Sequence, residues 1–175
     1  MKKLLIVVDY QIDFVDGALG FEGAEKLDER IADKINSYRS QGWDIAYTFD
    51  THEENYLSTQ EGKNLPVEHC IKGGEGHKLY GLTADTIKDT DKVFYKPTFG
   101  SGELYEYLKD TDYEQIELVG LVSNICVISN AVIAKTALPE AVITVDASCT
   151  DSFDKELNEK VLDVMAGLQM NVVNR

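Results

Sequence analysis

Leu4-Leu5-Ile6-Val7-Val8-Asp9 puts five consecutive apolar residues near the start of the chain and a carboxylate at their end. The run is far too short for a membrane span or a signal-peptide core. It reads instead as a strand buried on both faces, the kind that parallel sheets use. Similar segments recur at Asp44–Phe49, Lys92–Tyr95, Ile116–Gly120, Val142–Val145 and Met170–Val173, with helical patterns between them. Strands alternating with helices argue for a parallel sheet covered on both sides. The expectation is a Rossmann-like, doubly wound α/β fold with a mostly parallel six-stranded sheet. At 175 residues it fits one domain.

The helical segments follow from spacing. Leu27, Ile31, Ile35 and Tyr38 recur at helical intervals and predict a helix over Ala24–Ser40, stopped by Gly42. A second helix is expected over Gly102–Lys109, and a last one over Lys155–Leu168 with Leu157, Val161, Val164 and Met165 turned inward. The segment Asn124–Leu138 is apolar on nearly every side, with Lys135 its only charge. Such a helix is normally buried all round, and its surplus apolar face suggests a second subunit, hence a homo-oligomer. Thr51–Asp91 is long, polar and rich in turns, with Gly73, Gly74 and Gly76 close together. A loop region of that length inside a compact domain is usually functional or disordered.

Composition narrows the partners. The formal net charge is -14, with no Lys/Arg cluster to offset it, so nucleic acid is not an expected partner. No segment suggests membrane association. Cys70, Cys126 and Cys149 form neither a closed disulfide framework nor a C-x-x-C knuckle. A reduced, cytoplasmic setting is the simplest expectation.

Open parallel sheets gather ligands outside the carboxyl ends of their strands, and four strand ends here carry reactive groups. The first ends in Asp9, the second in Asp50-Thr51-His52, and the third in Lys96. The fourth leads through Leu121-Val122-Ser123 to Cys126. A thiol becomes a good nucleophile when its pKa falls. A helix N-terminus near Asn124 and the cation of Lys96 are two devices for lowering that of Cys126. Asp9 suits a general base that takes the thiol proton and later passes it to departing ammonia. The structural alternatives are a small buried cysteine, a capping aspartate and an ordinary lysine.

Asp50 and His52, two residues apart in extended chain, can face one site, with Glu61 and His69 downstream. Two histidines with carboxylates suit zinc, iron or manganese. Glu53, Glu54 and Glu68 compete for the third position, and a solvated acidic loop is the plain alternative. Cys149 reads as packing, Cys70 as a buried spacer and His77 as an ordinary polar residue. Gly74-Glu75-Gly76 is no dinucleotide fingerprint, and no G-x-S-x-G elbow is present.

Taken together, four segments resemble the isochorismatase-like cysteine hydrolases, and within them the nicotinamidases, from Leu5 to about Val173. They are Asp9-Tyr10-Gln11-Ile12-Asp13-Phe14, Lys96, Gly120-Leu121-Val122-Ser123-Asn124-Ile125-Cys126-Val127 and Val145-Asp146-Ala147. The resemblance implies a triad of Asp9, Lys96 and Cys126. It also implies a non-proline cis peptide at Leu121–Val122 and an oxyanion site made by the amides of Val122 and Cys126. Phe14 and Val122 would lie against the substrate, and Asp50, His52, Glu61 and His69 would hold a divalent metal. The implied reaction is hydrolysis of a small amide through a thioester, with nicotinamide favoured. Another amide, a carbamoyl compound or isochorismate-type vinyl ether cleavage is the nearest rival; a non-catalytic binding protein on the same scaffold is the more distant one. The chain departs from the nicotinamidase pattern at Leu65-Pro66-Val67-Glu68-His69, which lacks an aromatic residue before the histidine. Pro97 and Gly100-Ser101-Gly102 differ as well.

Overall fold

A computed structural model describes residues 1–175. Six strands form one sheet in the order β3-β2-β1-β4-β5-β6: β1 Lys3–Val8, β2 Asp44–Asp50, β3 Lys92–Lys96, β4 Gln115–Leu121, β5 Val142–Asp151 and β6 Asn171–Val173. Every pairing is parallel. The helices are α1 Ile12–Val15, α2 Asp28–Ser40, α3 Gln60–Asn64, α4 Gly81–Ala84, α5 Gly102–Leu108, α6 Ile128–Ala137 and α7 Lys155–Gly167. None is long and apolar enough to cross a membrane.

The apolar run that opens the chain becomes the middle of the sheet. Successive side chains of a strand point to opposite faces, so β1 supplies both cores. Leu4, Ile6 and Val8 pack with Leu104, Leu108, Ala131, Ala134 and Met165 from α5, α6 and α7; Leu5 and Val7 pack with Ile31, Ile35 and Tyr38 from α2. The chain leaves β1 toward β2 and β3, then returns to its other side with β4. That reversal places a crevice at the carboxyl ends of β1 and β4, where Asp9 and the Val122–Cys126 turn lie.

Gly120 is required at this crevice. It sits in β4 with φ +112°, and an added Cβ would collide with the Val8 carbonyl of the paired strand. Register also slips between β4 and β5 here, so that Gly120 faces Thr150. The slip carries β5 through Asp146–Asp151, well past the strand end expected at Val145. Cys149 therefore lies within β5, buried as expected of a packing residue.

Other boundaries moved for local reasons. The helix expected from Ala24 begins as a tight 3-10 turn, Ala24–Leu27, entered through Gly23 at φ +96°, before α2 proper. The helix expected from Asn124 is preceded by one wide turn, Ser123–Val127, closed by the Val127 N–H donating to the Val122 carbonyl at 3.1 Å. Cys126 lies in that turn rather than inside an α-helix. Nor is α6 buried all round within one chain, because Val132 is 41% exposed. Within Thr51–Asp91 a bridge pairs His52 with Ile71, and a second, between Gln11 and Leu79, ties the segment to the residues after β1.

Candidate active site

The four strand ends meet. Asp9 ends β1 with φ 45°, a left-handed conformation that aspartate tolerates better than most residues. Its Oδ1 accepts a hydrogen bond from the Thr48 hydroxyl at 2.6 Å, and Oδ2 lies 2.6 Å from the Lys96 ammonium. Lys96, at the end of β3, is 1% exposed. Its Nζ also donates to the Thr98 carbonyl at 3.1 Å, to Asp50 Oδ1 at 3.4 Å and to Cys126 Sγ at 3.5 Å. One buried ammonium thus touches the acid, the thiol and a second carboxylate.

The electrostatics assign a resting state. Burial pushes the Asp9 carboxyl up, while the Lys96 charge pulls it down. Burial works against the Lys96 charge, but the negative charges of Asp9 and Asp50 more than compensate and hold it ionised. Burial, reinforced by the Asp9 charge, pushes the Cys126 thiol well above its usual value, against Lys96. Lys96 does pull the thiol pKa down, as expected, but burial and the Asp9 charge outweigh it and the net direction is upward. Desolvation of a thiolate beside a carboxylate outweighs one shared cation. The thiol rests protonated and requires a base, and the neighbouring Asp9 carboxylate, paired with Lys96 through Oδ2, is the group available.

The turn after β4 carries the electrophilic features. The Leu121–Val122 peptide is cis. The Val122 N–H donates to no group in the chain, which leaves it free for a developing oxyanion. The Val122 carbonyl instead accepts from the N–H groups of Ile125 and Val127.

A second cluster adjoins the first. Asp50 Oδ2 lies 2.9 Å from His52 Nε2 and 3.3 Å from His69 Nε2, and Glu61 Oε1 lies 3.6 Å from each imidazole nitrogen. All four donor atoms fall within 4.8 Å of one another. These donors fit a divalent cation. Bonds of about 2.0–2.2 Å to nitrogen and oxygen place neighbouring ligand atoms roughly 3 Å apart. His69 Nδ1 is 2.7 Å from the Val67 carbonyl; donation to that carbonyl leaves Nε2 as the lone-pair donor facing the cluster. Burial opposes ionisation of Asp50, but His52, His69 and Lys96 hold it well below the usual carboxylate range. Burial and the Asp50 charge push Glu61 up, as expected where buried negative charge exceeds the cations present. Glu53, Glu54 and Glu68 stay exposed outside the cluster. His77 also stays outside, paired with Thr51 at 2.8 Å and stacked on Tyr95. Cys70, buried beside His69, is a spacer as expected.

Supporting residues had no sequence signal of their own. The Gln11 side chain brackets Asp50: Nε2 donates to its carbonyl at 2.9 Å and Oε1 accepts from its N–H at 2.8 Å. Asp13 Oδ2 accepts from the Cys70 N–H at 2.7 Å and so anchors the segment bearing His69. Tyr56 packs against both imidazoles, at centroid distances of 4.7 and 5.0 Å.

Above both clusters lies a cavity of about 510 Å³. Its polar floor is Asp50, Glu61, His69 and Cys126, and its walls are Phe14, Leu19, Leu65, Phe99, Val122, Ile125 and Phe153. Apolar walls with a few convergent polar groups are the usual form of a small-molecule site. Phe99 and Phe153 supply aromatic surface that the segment before His69 lacks.

The chain has relatives in sequence and in fold. The isochorismatase domain family model matches residues 3–174. The chain belongs to the isochorismatase family of hydrolases. A family member from Bacillus subtilis (strain 168), described as the uncharacterized isochorismatase family protein PncA, is 30% identical over 143 residues, 75% of this chain and 78% of that one. The crystal structure of nicotinamidase/pyrazinamidase PncA from Bacillus subtilis superposes with a TM-score of 0.88 at 25% identity, covering 98% of this chain and 99% of that one. The pyrazinamidase of Pyrococcus horikoshii in complex with zinc shares the fold, with a TM-score of 0.86 at 22% identity over all of both chains. The family's hydrolases act on amide or related bonds, and the six-stranded sheet found here is their fold.

Proposed function

We propose that this family member is a metal-dependent cysteine amidohydrolase, with nicotinamide as its substrate and nicotinate and ammonia as products. The observation carrying the reading is the Lys96 ammonium within 3.5 Å of Cys126 Sγ and 2.6 Å of Asp9 Oδ2, with Cys126 itself lining an apolar cavity. The relatives that act on nicotinamide and pyrazinamide support an aromatic amide, and the walls of Phe14, Phe99 and Phe153 suit a flat ring.

In this reading Asp9 takes the thiol proton as Cys126 attacks the carboxamide carbon, and Lys96 stabilises the sulfur anion as it forms. The amides of Val122 and Cys126 receive the oxyanion, a contribution typically worth about 3 kcal/mol for one donor. Asp9 then passes its proton to the departing nitrogen, the carbon–nitrogen bond breaks, and ammonia leaves a thioester. Water, deprotonated by Asp9, adds to the thioester carbon; the carboxylate is released and the thiol restored. Asp50, His52, Glu61 and His69 would hold the divalent metal, with zinc, iron and manganese all suited to the donor set. When bound, it would supply a Lewis acid for a ring nitrogen of the substrate.

Ammonia release from nicotinamide, pyrazinamide and aliphatic amides tests the substrate directly. Turnover of the aromatic amides alone is the expected result, and preference for an aliphatic or carbamoyl compound would overturn the assignment. Metal binding has its own readout. Zinc or manganese at about 100 times its Kd should stabilise the wild-type fold by about 2.7 kcal/mol, seen as a rise in Tm. The His69→Ala variant should lose most of that rise, and an equal rise in both proteins would place the ion elsewhere. The exposed apolar side of α6 is our proposed subunit contact for a homo-oligomer, and light scattering should return more than one chain per particle.

A further inference from the structure

Asn130 on α6 has no part in the chemistry described, yet its side chain is completely buried. A buried amide persists only when its donors and acceptor are satisfied, and the partners of Asn130 come from both sides of the active site. Nδ2 donates to the Cys126 carbonyl at 2.8 Å and to the Phe99 carbonyl at 3.1 Å. Oδ1 accepts from the Ser101 N–H at 3.0 Å. Both amide hydrogens are used.

The first bond lies within the helical run, four residues back, and holds the turn bearing the nucleophile. The other two bracket Gly100 in the segment that leaves Lys96. This segment lies close against α6: a Cβ on Gly100 would sit 2.7 Å from Ile133 Cδ1. It also carries the Thr98 carbonyl, which accepts from the Lys96 ammonium at 3.1 Å, and that ammonium reaches Cys126 Sγ at 3.5 Å. The contacts close a ring from Cys126 through Asn130, Phe99, Thr98 and Lys96 back to Cys126. Within this ring, Asn130 is the side chain that joins the nucleophile turn to the segment following the lysine.

We propose that Asn130 is a positioning residue that sets the separation of the Lys96 ammonium from the Cys126 sulfur by clamping residues 99–101 to the nucleophile helix. This rests on the reading of Cys126 as the nucleophile. A loose clamp lets the ammonium and sulfur drift apart, and a displacement of about 1 Å by a change remote from the reacting atoms can cost roughly 100-fold in rate.

The discriminating variant is Asn130→Ser. A serine here retains a donor for the Cys126 carbonyl, as Ser129 donates to Ile125 and Thr136 to Val132 in the same helical run. It cannot span to Phe99 and Ser101. The isosteric Asn130→Asp keeps the acceptor for the Ser101 N–H and loses both donors. Tm, steady-state kinetics on nicotinamide, and the rate of Cys126 alkylation by iodoacetamide, followed on its peptide by mass spectrometry, are measured for each. For Asn130→Ser at a temperature where it is folded, we expect kcat to fall about 10- to 100-fold with a smaller change in KM, and alkylation to slow at least about 10-fold. Wild-type alkylation in folded Asn130→Ser would overturn the proposal. Failure of both variants to fold would overturn it too, in favour of a purely structural role. Alkylation needs no substrate, so an inactive wild type with reactive Cys126 would remove the nicotinamide assignment while still deciding the role of Asn130.

Discussion

Replacing Cys126 by alanine should reduce amide hydrolysis by at least about 10⁴-fold, since loss of a nucleophile leaves only binding and oxyanion stabilisation. The protein should remain folded. Cys126 is 5% exposed and packs in the larger core, so truncation to alanine removes one buried sulfur, a loss of about 1 kcal/mol. The thiol already rests protonated and pays the desolvation cost of a thiolate only during turnover, so no buried charge is stranded. Loss of ammonia release with Tm lowered by only about 2–4 °C separates the roles: a structural cysteine would lose more stability and keep activity. Retained turnover in Cys126→Ala would refute its assignment as nucleophile.

Lys96→Met should damage both activity and fold. The ammonium lies 2.6 Å from Asp9 and 3.4 Å from Asp50, all three nearly excluded from solvent. Removing one member of a buried charge cluster strands the others, at a cost of about 3–5 kcal/mol. Turnover should fall by roughly 10³-fold or more, because Asp9 then keeps its own proton and no cation faces the sulfur. The destabilisation should depend on pH, and the sign follows from Asp9. Burial already raises its carboxyl pKa against the Lys96 charge, and loss of that charge raises it further. A carboxyl with a raised pKa in the folded state costs stability above that pKa, and the cost fades as the pH falls and the folded state takes up its proton. The stability deficit of Lys96→Met should therefore be largest near neutral pH and shrink toward pH 4. Denaturant melts across that range check it, and a deficit that grows on acidification would mean that Lys96 does not compensate Asp9.

Much of this was legible because chemistry and fold share a pattern. A parallel sheet demands continuous apolar strands, and a polar residue at the end of such a strand stands out. Asp9, Asp50 and Lys96 were visible for that reason, and the first residues of the chain announced both cores. The nucleophile turn was less legible. Its wide geometry and the slip that extends β5 to Asp151 depend on how β4 meets its neighbours, which no local periodicity records. Among the acids of the polar segment, the choice of Glu61 depends on α3 and its Thr59 cap, which turn it toward the two histidines while Glu53, Glu54 and Glu68 stay in solvent. Gln11, Asp13, Thr48 and Asn130 were silent. Each works by bonding backbone or side chains distant in sequence, and an amide, hydroxyl or carboxylate with that duty looks like any other until the chain is folded.

Rapid acid quenching during turnover of nicotinamide, followed by mass spectrometry of the Cys126 peptide, tests the central claim most directly. A nicotinoyl group on that sulfur, lost in Cys126→Ala, is the predicted result. Steady ammonia release while Cys126 stays unmodified at every quench time, with the acyl group found on another residue, would contradict it.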